Sequence, residues 1–302
     1  MTKWRGLSSV SDERFALLLV LPYLVFALLL VFYPLAYSFW LSLNNANLLL
    51  GGKYVFVGIG QYSKALSDPM FYSSLLVTLQ YTFETLIMST LLGLGFALLL
   101  NEPMRGRSIL RGIVLLPWAV AAWAAGAMFR YVFDAQFGTL NGVLNVLGVL
   151  PNYVQWITYN SAVTCLSVAT SWNITPLGAF FILAALQTIP ENLMKAAKSD
   201  GAGVIRRFRY VVLPYIRYAL LIAVVVNTLL VATSLDTLFL LTTGGPGTST
   251  SALTFHIFQV AYDQLNLGGA AANSFILVAV ISVLTIAYFV MLRGTQGGRG
   301  QT

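Results

Sequence analysis

Six long runs of apolar residues, separated by shorter polar intervals, dominate the chain. A helix needs about 20 apolar residues to cross the roughly 30 Å hydrocarbon core of a bilayer, and each run is long enough. The runs occupy approximately residues 16–43, 74–100, 109–133, 161–188, 215–243 and 271–292. The pattern therefore predicts an all-α, polytopic membrane protein with six transmembrane helices.

The polar intervals divide into a basic set and a nearly uncharged set. With the N-terminus inside the cell, 14 of the 17 lysines and arginines fall on the cytoplasmic side, leaving Lys53, Lys64 and Arg130 outside. Because cytoplasmic loops carry the excess of Lys and Arg, both termini are expected in the cytoplasm of a multi-pass cell-membrane protein. The first run is too long for a signal peptide and lacks a small-residue cleavage site, so it is predicted to be retained.

Composition supports lipid as the main solvent. The chain is 58% hydrophobic and 9% charged, whereas a soluble domain is typically about 25% charged. The net charge of +7 does not indicate nucleic acid, because the basic residues form no patch interleaved with aromatics. A lone cysteine, Cys165, is expected to be a small buried apolar residue.

These observations predict one membrane domain with two short ends. Residues 1–15 form a cytoplasmic segment, residues 16–293 the six-helix domain, and residues 294–302 a flexible, glycine-rich cytoplasmic tail. The outer intervals, near 44–73, 134–160 and 244–270, are expected to form short interfacial helices or turns.

The longest basic interval, residues 190–214, has a helical pattern in two parts. Pro190 precedes a stretch of good helix formers, Glu191 to Ser199, which two glycines then interrupt. A second stretch is predicted from Val204 to Val212, ending before Pro214. Both stretches are amphipathic. The apolar positions expected to pack are Leu193, Met194, Ala197, Ile205 and Phe208, and the basic positions expected to face water are Lys198, Arg206, Arg207 and Arg209.

The order of residues in this loop resembles the coupling-loop signature of ABC importer permeases, E-A-A, three residues, G, nine residues and I-x-L-P. The matching positions are Ala196, Ala197, Asp200, Gly201, Ala202, Phe208, Leu213 and Pro214. One position departs, because Lys195 stands where the family most often has glutamate, which puts any ion pair of that glutamate in doubt. Glu191 lies four positions earlier, where it can pair with Lys195 along the helix.

Three further stretches resemble the carbohydrate-importer branch of that family, which contains maltose and glycerol-3-phosphate permeases. They are Phe56-Val57-Gly58 through Tyr62, Leu115 to Val120 reading LLPWAV, and Asp236 followed by Leu241 to Pro246 reading LTTGGP. The resemblance implies a type I ABC importer permease fold and transport by alternating access. It also implies a coupling surface toward an ATPase, made by Lys195, Ala196, Ala197, Ser199, Asp200, Gly201 and Ala202.

The same resemblance implies a set of substrate-binding residues. They are Trp172, Asn173, Asn227, Leu230, Val231, Ser234 and Asp236. Trp172 precedes Pro176 as a sugar-contacting tryptophan does in maltose-type permeases, although a packing role is an alternative; Asn227 is equally an interhelical hydrogen bonder. Because maltose-type permeases have asparagines where this chain has Val231 and Ser234, maltose itself is not favoured.

The remaining chemistry-bearing residues are few. Glu84 and Asp236 are either cavity groups, members of structural ion pairs or water-facing caps. Arg130 and Asp134 are spaced to pair at one helical turn. His256, the only histidine, is expected to pack, and no residues have metal-ligand spacing. No phosphate-binding G-x-x-x-x-G-K-[ST] is present.

The combined prediction is a translocation subunit that carries no catalytic residues and no cofactor of its own. ATP and Mg are expected in a partner ATPase. The implied partners are a second homologous permease, two ATP-binding subunits and an extracellular or periplasmic sugar-binding protein. An ion-coupled secondary transporter or channel is the alternative, and it predicts inverted repeats and midplane charges. An intramembrane enzyme is disfavoured, because the single histidine lies outside the predicted helices.

Overall fold

A computed structural model describes residues 12–51 and 54–294. Most of the predicted N-terminal segment 1–15 and nearly all of the predicted tail 294–302 lie outside these residues. Fourteen α-helices are described in these ranges: α1 Asp12–Ala27, α2 Tyr33–Ser42, α3 Gly60–Ser67, α4 Pro69–Asn101, α5 Arg107–Ala119, α6 Ala122–Val132, α7 Thr139–Val146, α8 Ala162–Leu186, α9 Glu191–Ser199, α10 Val204–Arg207, α11 Leu213–Ala232, α12 Asp236–Leu241, α13 Leu253–Phe258 and α14 Leu267–Gly294. Two two-residue strands, β1 Asn44–Asn45 and β2 Val55–Phe56, pair antiparallel.

Five of the six predicted spans are helices long and apolar enough to cross a membrane in the described ranges: Phe15–Ser42, Pro69–Asn101, Ala162–Leu186, Val204–Ala232 and Leu267–Val290. The sixth, predicted as one helix over 109–133, is instead the pair α5 and α6, which meet at an angle of 94°. The break falls at Val120 and Ala121, whose backbones are extended. The fifth predicted span, 215–243, also differs, because α11 ends at Ala232 and α12 follows separately.

π-helical turns precede two prolines within long helices. Leu28–Phe32 precedes Pro34, and Phe208–Val212 precedes Pro214. A proline inside an α-helix has no N–H to donate and its ring clashes with the carbonyl four residues earlier. The wider turn absorbs this conflict, since the Leu213 N–H donates to the Phe208 carbonyl, five residues back.

The chain divides into two compact units. The first holds the described residues up to Leu66 together with Val260–Phe275. Its loops are tied by backbone hydrogen bonds, Leu48 N–H to the Leu265 carbonyl at 2.9 Å and Leu267 N–H to the Ala46 carbonyl at 3.0 Å. The buried Gln61 amide donates to the Asn44 carbonyl at 3.3 Å.

The second unit, Ser67–Gln259 with the described residues from Ile276 onward, is built around α4, α8 and α11. Small residues of α4 recur at helical spacing on its buried face: Ser74, Thr78, Thr85, Ser89, Gly93 and Ala97. We call this row the small-residue seam. It lets α8 approach closely, since a Cβ on Gly93 would lie 3.3 Å from the Ala179 amide nitrogen. The Ser171 hydroxyl donates across the contact to the Thr85 carbonyl at 3.3 Å.

A second cluster lies where α4 and α8 end and α11 begins. Its buried members are Ala97, Leu100, Ile182, Leu183, Leu186, Val212 and Ile216. We call it the basal cluster. It supports the loop that joins α8 to α11.

The outer interval 134–160 is organised by one buried amide. The Asn141 side chain donates to the Val154 carbonyl at 2.9 Å and accepts from the Trp156 indole N–H at 3.0 Å. A buried amide with several partners fixes a loop that has little regular structure.

Candidate functional site

The loop predicted to couple to an ATPase consists of α9, a tight turn and α10. α9 begins after Pro190 and ends at Ser199. The Gly201 N–H donates to the Lys198 carbonyl at 3.0 Å and the Ala202 N–H to the Ala197 carbonyl at 3.0 Å. These two bonds form a Schellman motif, which needs a left-handed residue; Gly201 supplies it with φ of +74°.

Two side chains attach this loop to the helix bundle. Met194 of α9 and Phe208 at the end of α10 pack against the basal cluster. The opposite side is exposed and contains five of the seven predicted coupling residues, Lys195, Ala196, Ser199, Asp200 and Gly201. Ala197 and Ala202 are half-buried and line a cavity of about 270 Å³ together with Arg206, Arg207 and Tyr210.

Two packing predictions for this loop are wrong. Ile205 is 83% exposed and Leu193 is 38% exposed, although both were expected to pack. The helix pattern placed them on the apolar face, but only Met194 and Phe208 reach the bundle. The exposed apolar side chains instead add to the free surface of the loop.

The predicted pairing of Lys195 with Glu191 is confirmed. The ammonium nitrogen lies 3.1 Å from a Glu191 carboxylate oxygen, one turn apart on α9. Both side chains are largely exposed, so the pair is screened by water.

The second arm of the loop does not end before Pro214, contrary to the prediction. The helix runs through the π turn into α11, so that Val204–Ala232 forms one span. α10 and α11 are therefore parts of one continuous helix.

A cavity of about 740 Å³ lies among α4, α5, α6 and α8. Its lining residues are Met88, Leu91, Leu92, Phe96, Ile113, Val114, Pro117, Phe129, Val168, Ser171, Trp172, Thr175 and Pro176. Only Ser171 and Thr175 contribute hydroxyls, and each hydroxyl donates to a backbone carbonyl, of Thr85 and Ser171 respectively. The wall is therefore almost entirely apolar.

Trp172 is the one predicted substrate residue of the seven that lines this cavity. It is half-buried, and its ring meets Phe129 edge to face with centroids 5.5 Å apart. Sequence patterns did not indicate that Phe129 would contact Trp172, because only the break before α6 brings Phe129 close to α8.

Asn173, next to Trp172, holds the break between α5 and α6. Its amide nitrogen donates to the Pro117 carbonyl at 2.7 Å and to the Val120 carbonyl at 2.9 Å. The Pro117 carbonyl also accepts from the Val120 N–H at 3.3 Å. Asn173 therefore bonds the two carbonyls that lie where α5 ends, and it ties the bend to α8. Its predicted substrate contact stays a prediction, and the structure adds a positioning contact.

The predicted residues of α11 and beyond are dispersed. Asn227 is buried and donates to the Ser89 hydroxyl at 3.3 Å, which is an interhelical bond. Val231 is buried in an apolar cluster and Leu230 is 44% exposed. Ser234 lies after the end of α11, and Asp236 is the first residue of α12.

The other polar candidates serve local structure. Asp134 does not pair with Arg130; its carboxylate accepts from the backbone N–H groups of Phe137 and Gln136 at 2.8 Å each. These bonds hold the pKa of Asp134 below its ordinary value. Arg130 lies 3.5 Å from the Leu240 carbonyl. Glu84 accepts from the Gln80 amide at 2.9 Å.

His256 is buried in α13, as its packing role predicted, and its Nε2 lies 3.9 Å from an Asp68 carboxylate oxygen. Burial lowers the pKa of His256, and the charge of Asp68 opposes this shift. No group of three or more His, Cys, Asp and Glu residues suited to a metal ion occurs among the described residues.

Comparison with protein families gives one match across most of the chain. The family described as "Binding-protein-dependent transport system inner membrane component" matches residues 89–295. That range includes all the residues that line the cavity except Met88, the break between α5 and α6, and the whole loop from α9 to α11.

Individual relatives match nearly end to end. The trehalose/maltose transport system permease protein MalF of Thermococcus litoralis is 35% identical, covering 92% of this chain and 93% of that protein. The sulfoquinovosyl glycerol transport system permease protein SmoG of Agrobacterium fabrum is 32% identical, covering 97% and 95%. The sn-glycerol-3-phosphate transport system permease protein UgpA of the same species is 31% identical, covering 90% and 92%.

A solved structure shares the fold. A chain of a bacterial alginate ABC transporter, crystallised with an alginate pentasaccharide-bound periplasmic protein, superposes with a TM-score of 0.77. The alignment covers 94% of this chain and 95% of that chain at 18% sequence identity. At that identity the likeness concerns the fold alone.

Proposed function

Since the chain belongs to the family of binding-protein-dependent transport system inner membrane components, we propose that it is the permease subunit of an ATP-driven carbohydrate importer. The predicted membership of the ABC importer permeases is confirmed, as is the all-α membrane fold. The chain is a multi-pass membrane protein whose role is translocation. Carbohydrate as the substrate class is supported by the relatives, whose names specify trehalose or maltose, sulfoquinovosyl glycerol and glycerol 3-phosphate.

The observation that carries the proposal is the continuous connection between the exposed loop and the membrane. α9 and α10 expose a surface, Met194 and Phe208 attach it to the basal cluster, and α10 continues into α11. A partner that moves this surface would move α11 with it. ATP and Mg would act in that partner, and the free energy would reach this chain as a displacement.

The proposed assembly has a second homologous permease, two ATP-binding subunits and an extracellular or periplasmic sugar-binding protein. The loop α9–α10 would face the cytoplasm, as would both termini, because the basic residues concentrate on that side. In alternating access, each state of the permease must differ in affinity for the partners, since a ligand shifts an equilibrium only by its differential binding.

Trp172 is the proposed sugar-contacting residue on this chain. It lines the cavity at the break between α5 and α6, where its half-buried ring gives an apolar face to the C–H side of a sugar ring. Asn173, Asn227, Leu230, Val231, Ser234 and Asp236 remain predicted substrate residues. Of these, Asn173 would act by fixing the bend beside Trp172.

Assembly and coupling test the function directly. The tagged chain, co-expressed with its genomic neighbours, is expected to bring down a nucleotide-hydrolysing subunit and a second permease. In proteoliposomes, sugar-loaded binding protein is expected to stimulate ATP hydrolysis. Gly201→Pro should insert normally and lose this stimulation. Failure to recover any ATPase subunit, or unchanged stimulation in Gly201→Pro, would contradict the proposal.

The sugar contact has its own test with a matched control. Trp172→Ala is expected to reduce sugar uptake about tenfold while leaving assembly intact, which corresponds to the loss of an apolar ring contact of about 1.4 kcal/mol. Trp118→Ala is the control, since Trp118 is 51% exposed on α5 and does not line the cavity. Equal uptake in the two variants would assign Trp172 to packing.

A further inference from the structure

Two arginines converge at the end of the second unit where α4 ends and α5 begins. The Arg107 Nε donates to the Leu100 carbonyl at 2.5 Å. With the Gln187 amide oriented to accept, its oxygen lies 3.0 Å from Arg111 Nη2 and 3.3 Å from Arg107 Nη2. Both guanidinium groups are therefore held in place by neutral acceptors.

The charge of this pair is not compensated. Neither Arg107 nor Arg111 lies within 4.0 Å of a carboxylate among the described residues, whose ion pairs are Lys195–Glu191 and His256–Asp68. The Nε of Arg111 is buried and has no hydrogen-bond partner. Arg107 is also the first residue of α5, whose terminal N–H groups no side chain caps. Two fixed cations and an open helix terminus favour an anion here.

The apolar cavity begins one helical turn from the arginine pair. Val114 follows Arg111 by three residues on α5, and Phe96 precedes Leu100 by four residues on α4. Ile113 and Leu92 extend the same wall. A basic site and an apolar groove are thus continuous along α4 and α5.

We propose that this site binds an anionic phospholipid, with the phosphate on Arg107 and Arg111 and one acyl chain in the adjacent end of the cavity. The near end, lined by Leu92, Phe96, Ile113 and Val114, accommodates the chain. Trp172 and Phe129 line the far end, so the lipid and the proposed sugar contact use different parts of the cavity. The inference does not depend on which substrate the protein transports.

The composition of the groove distinguishes this ligand from a soluble anion or a sugar. A sugar requires hydrogen-bonding groups, and the near end offers no polar side chain, since its lining is Leu92, Phe96, Ile113 and Val114. A free phosphate would use the arginines and leave the groove empty. A phospholipid satisfies both parts, because its headgroup is charged and its chains are apolar.

Native mass spectrometry of the full chain, purified with its co-expressed partners, measures this binding. Dioleoyl phosphatidylglycerol is expected to bind more tightly than dioleoyl phosphatidylcholine. Arg107→Gln and Arg111→Gln should each weaken phosphatidylglycerol binding about fivefold, the contribution of one arginine near an anionic lipid surface. Arg105→Gln removes the same charge from an exposed neighbouring position and should have little effect.

The groove is tested separately, which keeps the proposal falsifiable if an arginine variant folds poorly. Ile113→Trp should fill the near end and displace phosphatidylglycerol. Ile109→Trp, one turn earlier on α5, should not, because Ile109 does not line the cavity. Equal binding of the two lipids, or an equal loss in Arg105→Gln, would overturn the proposal. So would unchanged binding in Ile113→Trp, or complete displacement of the lipid by millimolar inorganic phosphate, since either would indicate an anion site without an acyl-chain groove.

Discussion

The small-residue seam of α4 and the loop α9–α10 fix their geometry by opposite means. In the seam, contacts between α4 and α8 set the geometry: Gly93 approaches the Ala179 backbone, and the Ser171 hydroxyl donates to the Thr85 carbonyl. In the loop, the local backbone conformation sets the geometry: Gly201 closes a Schellman turn, and α9 contains no buried residue. A packed seam resists any change of volume, whereas an exposed turn responds to its own dihedral angles. The packed seam is therefore sensitive to side-chain size, and the loop that is proposed to contact a partner is sensitive to backbone conformation.

The largest effect is expected from adding volume to the seam. Gly93→Leu should destabilise the protein by about 1–3 kcal/mol or more, because the new side chain meets the Ala179 and Thr175 backbones. Gly95→Leu, two residues along on the exposed face with open space around it, should be neutral or stabilising by up to about 1 kcal/mol through helix propensity. Thermal unfolding in detergent measures both. Equal melting temperatures for the two variants would contradict the packing role of the seam.

Next in size is the strain introduced at the turn of the loop. Gly201→Ala forces an L residue to φ of +74°, at a cost of roughly 1–2 kcal/mol, although space for a Cβ is open. Gly203→Ala meets equally open space at an ordinary φ of −64° and should have no such cost. Because α9 contains no buried residue, the turn can release this strain by changing its own conformation. We therefore expect Gly201→Ala to reduce stimulation of the proposed partner ATPase more than it lowers the melting temperature. The same loss of stimulation in Gly203→Ala would show that the turn is not the cause.

Acidification is expected to have a smaller effect on stability, through His256, a buried residue outside the membrane spans. Burial keeps the pKa of His256 below its ordinary value of about 6.5, so the unfolded chain binds a proton more readily than the native chain. Stability should then fall as the pH drops below about 6.5 toward the native pKa. Melting temperatures across this range should show a weaker dependence in His256→Gln. A dependence that is unchanged in this variant would assign it to other groups.

The smallest effect is expected from the exposed ion pair on α9. Glu191→Gln should change stability by at most about 0.5 kcal/mol, because Lys195 and Glu191 are largely exposed. A double-mutant cycle with Lys195→Gln isolates the coupling between them. A coupling energy well above 1 kcal/mol would mean that this surface is stabilised by its side chains, as the seam is.

Features set by local sequence could be predicted, whereas features that depend on residues far apart in the sequence could not. The membrane spans follow from the length of the apolar runs, and the turn at Gly201 follows from two glycines after a helical stretch. The break between α5 and α6 gave no comparable signal, because prolines such as Pro117 also occur in unbroken helices; α8 contains Pro176 without a break. The carbonyls at the bend accept hydrogen bonds from Asn173, which lies 53 residues beyond Val120 in the sequence.

The residues of the candidate sites also divide into those that local sequence could place and those that it could not. The predicted coupling residues lie in one short segment, so sequence order was enough to place them together. The predicted substrate residues come from α8, α11, α12 and the turn after α11, and the directions of their side chains depend on how these elements pack. Val231 occupies the position of a polar family residue, yet it is buried in an apolar cluster. Phe129 was missed because it reaches Trp172 only after the bend.

The unbroken helix from Val204 to Ala232 gives the loop a mechanical advantage. Its 29 residues make a rod of roughly 43 Å at a rise of about 1.5 Å per residue. If such a rod tilts by about 5° around one end, its other end moves by roughly 4 Å, about the width of a side chain. The wider turn before Pro214 keeps the rod in one piece where the proline would otherwise kink it. In the proposed coupling, a small rotation at the loop would therefore become a displacement of several ångströms at the far end of the helix.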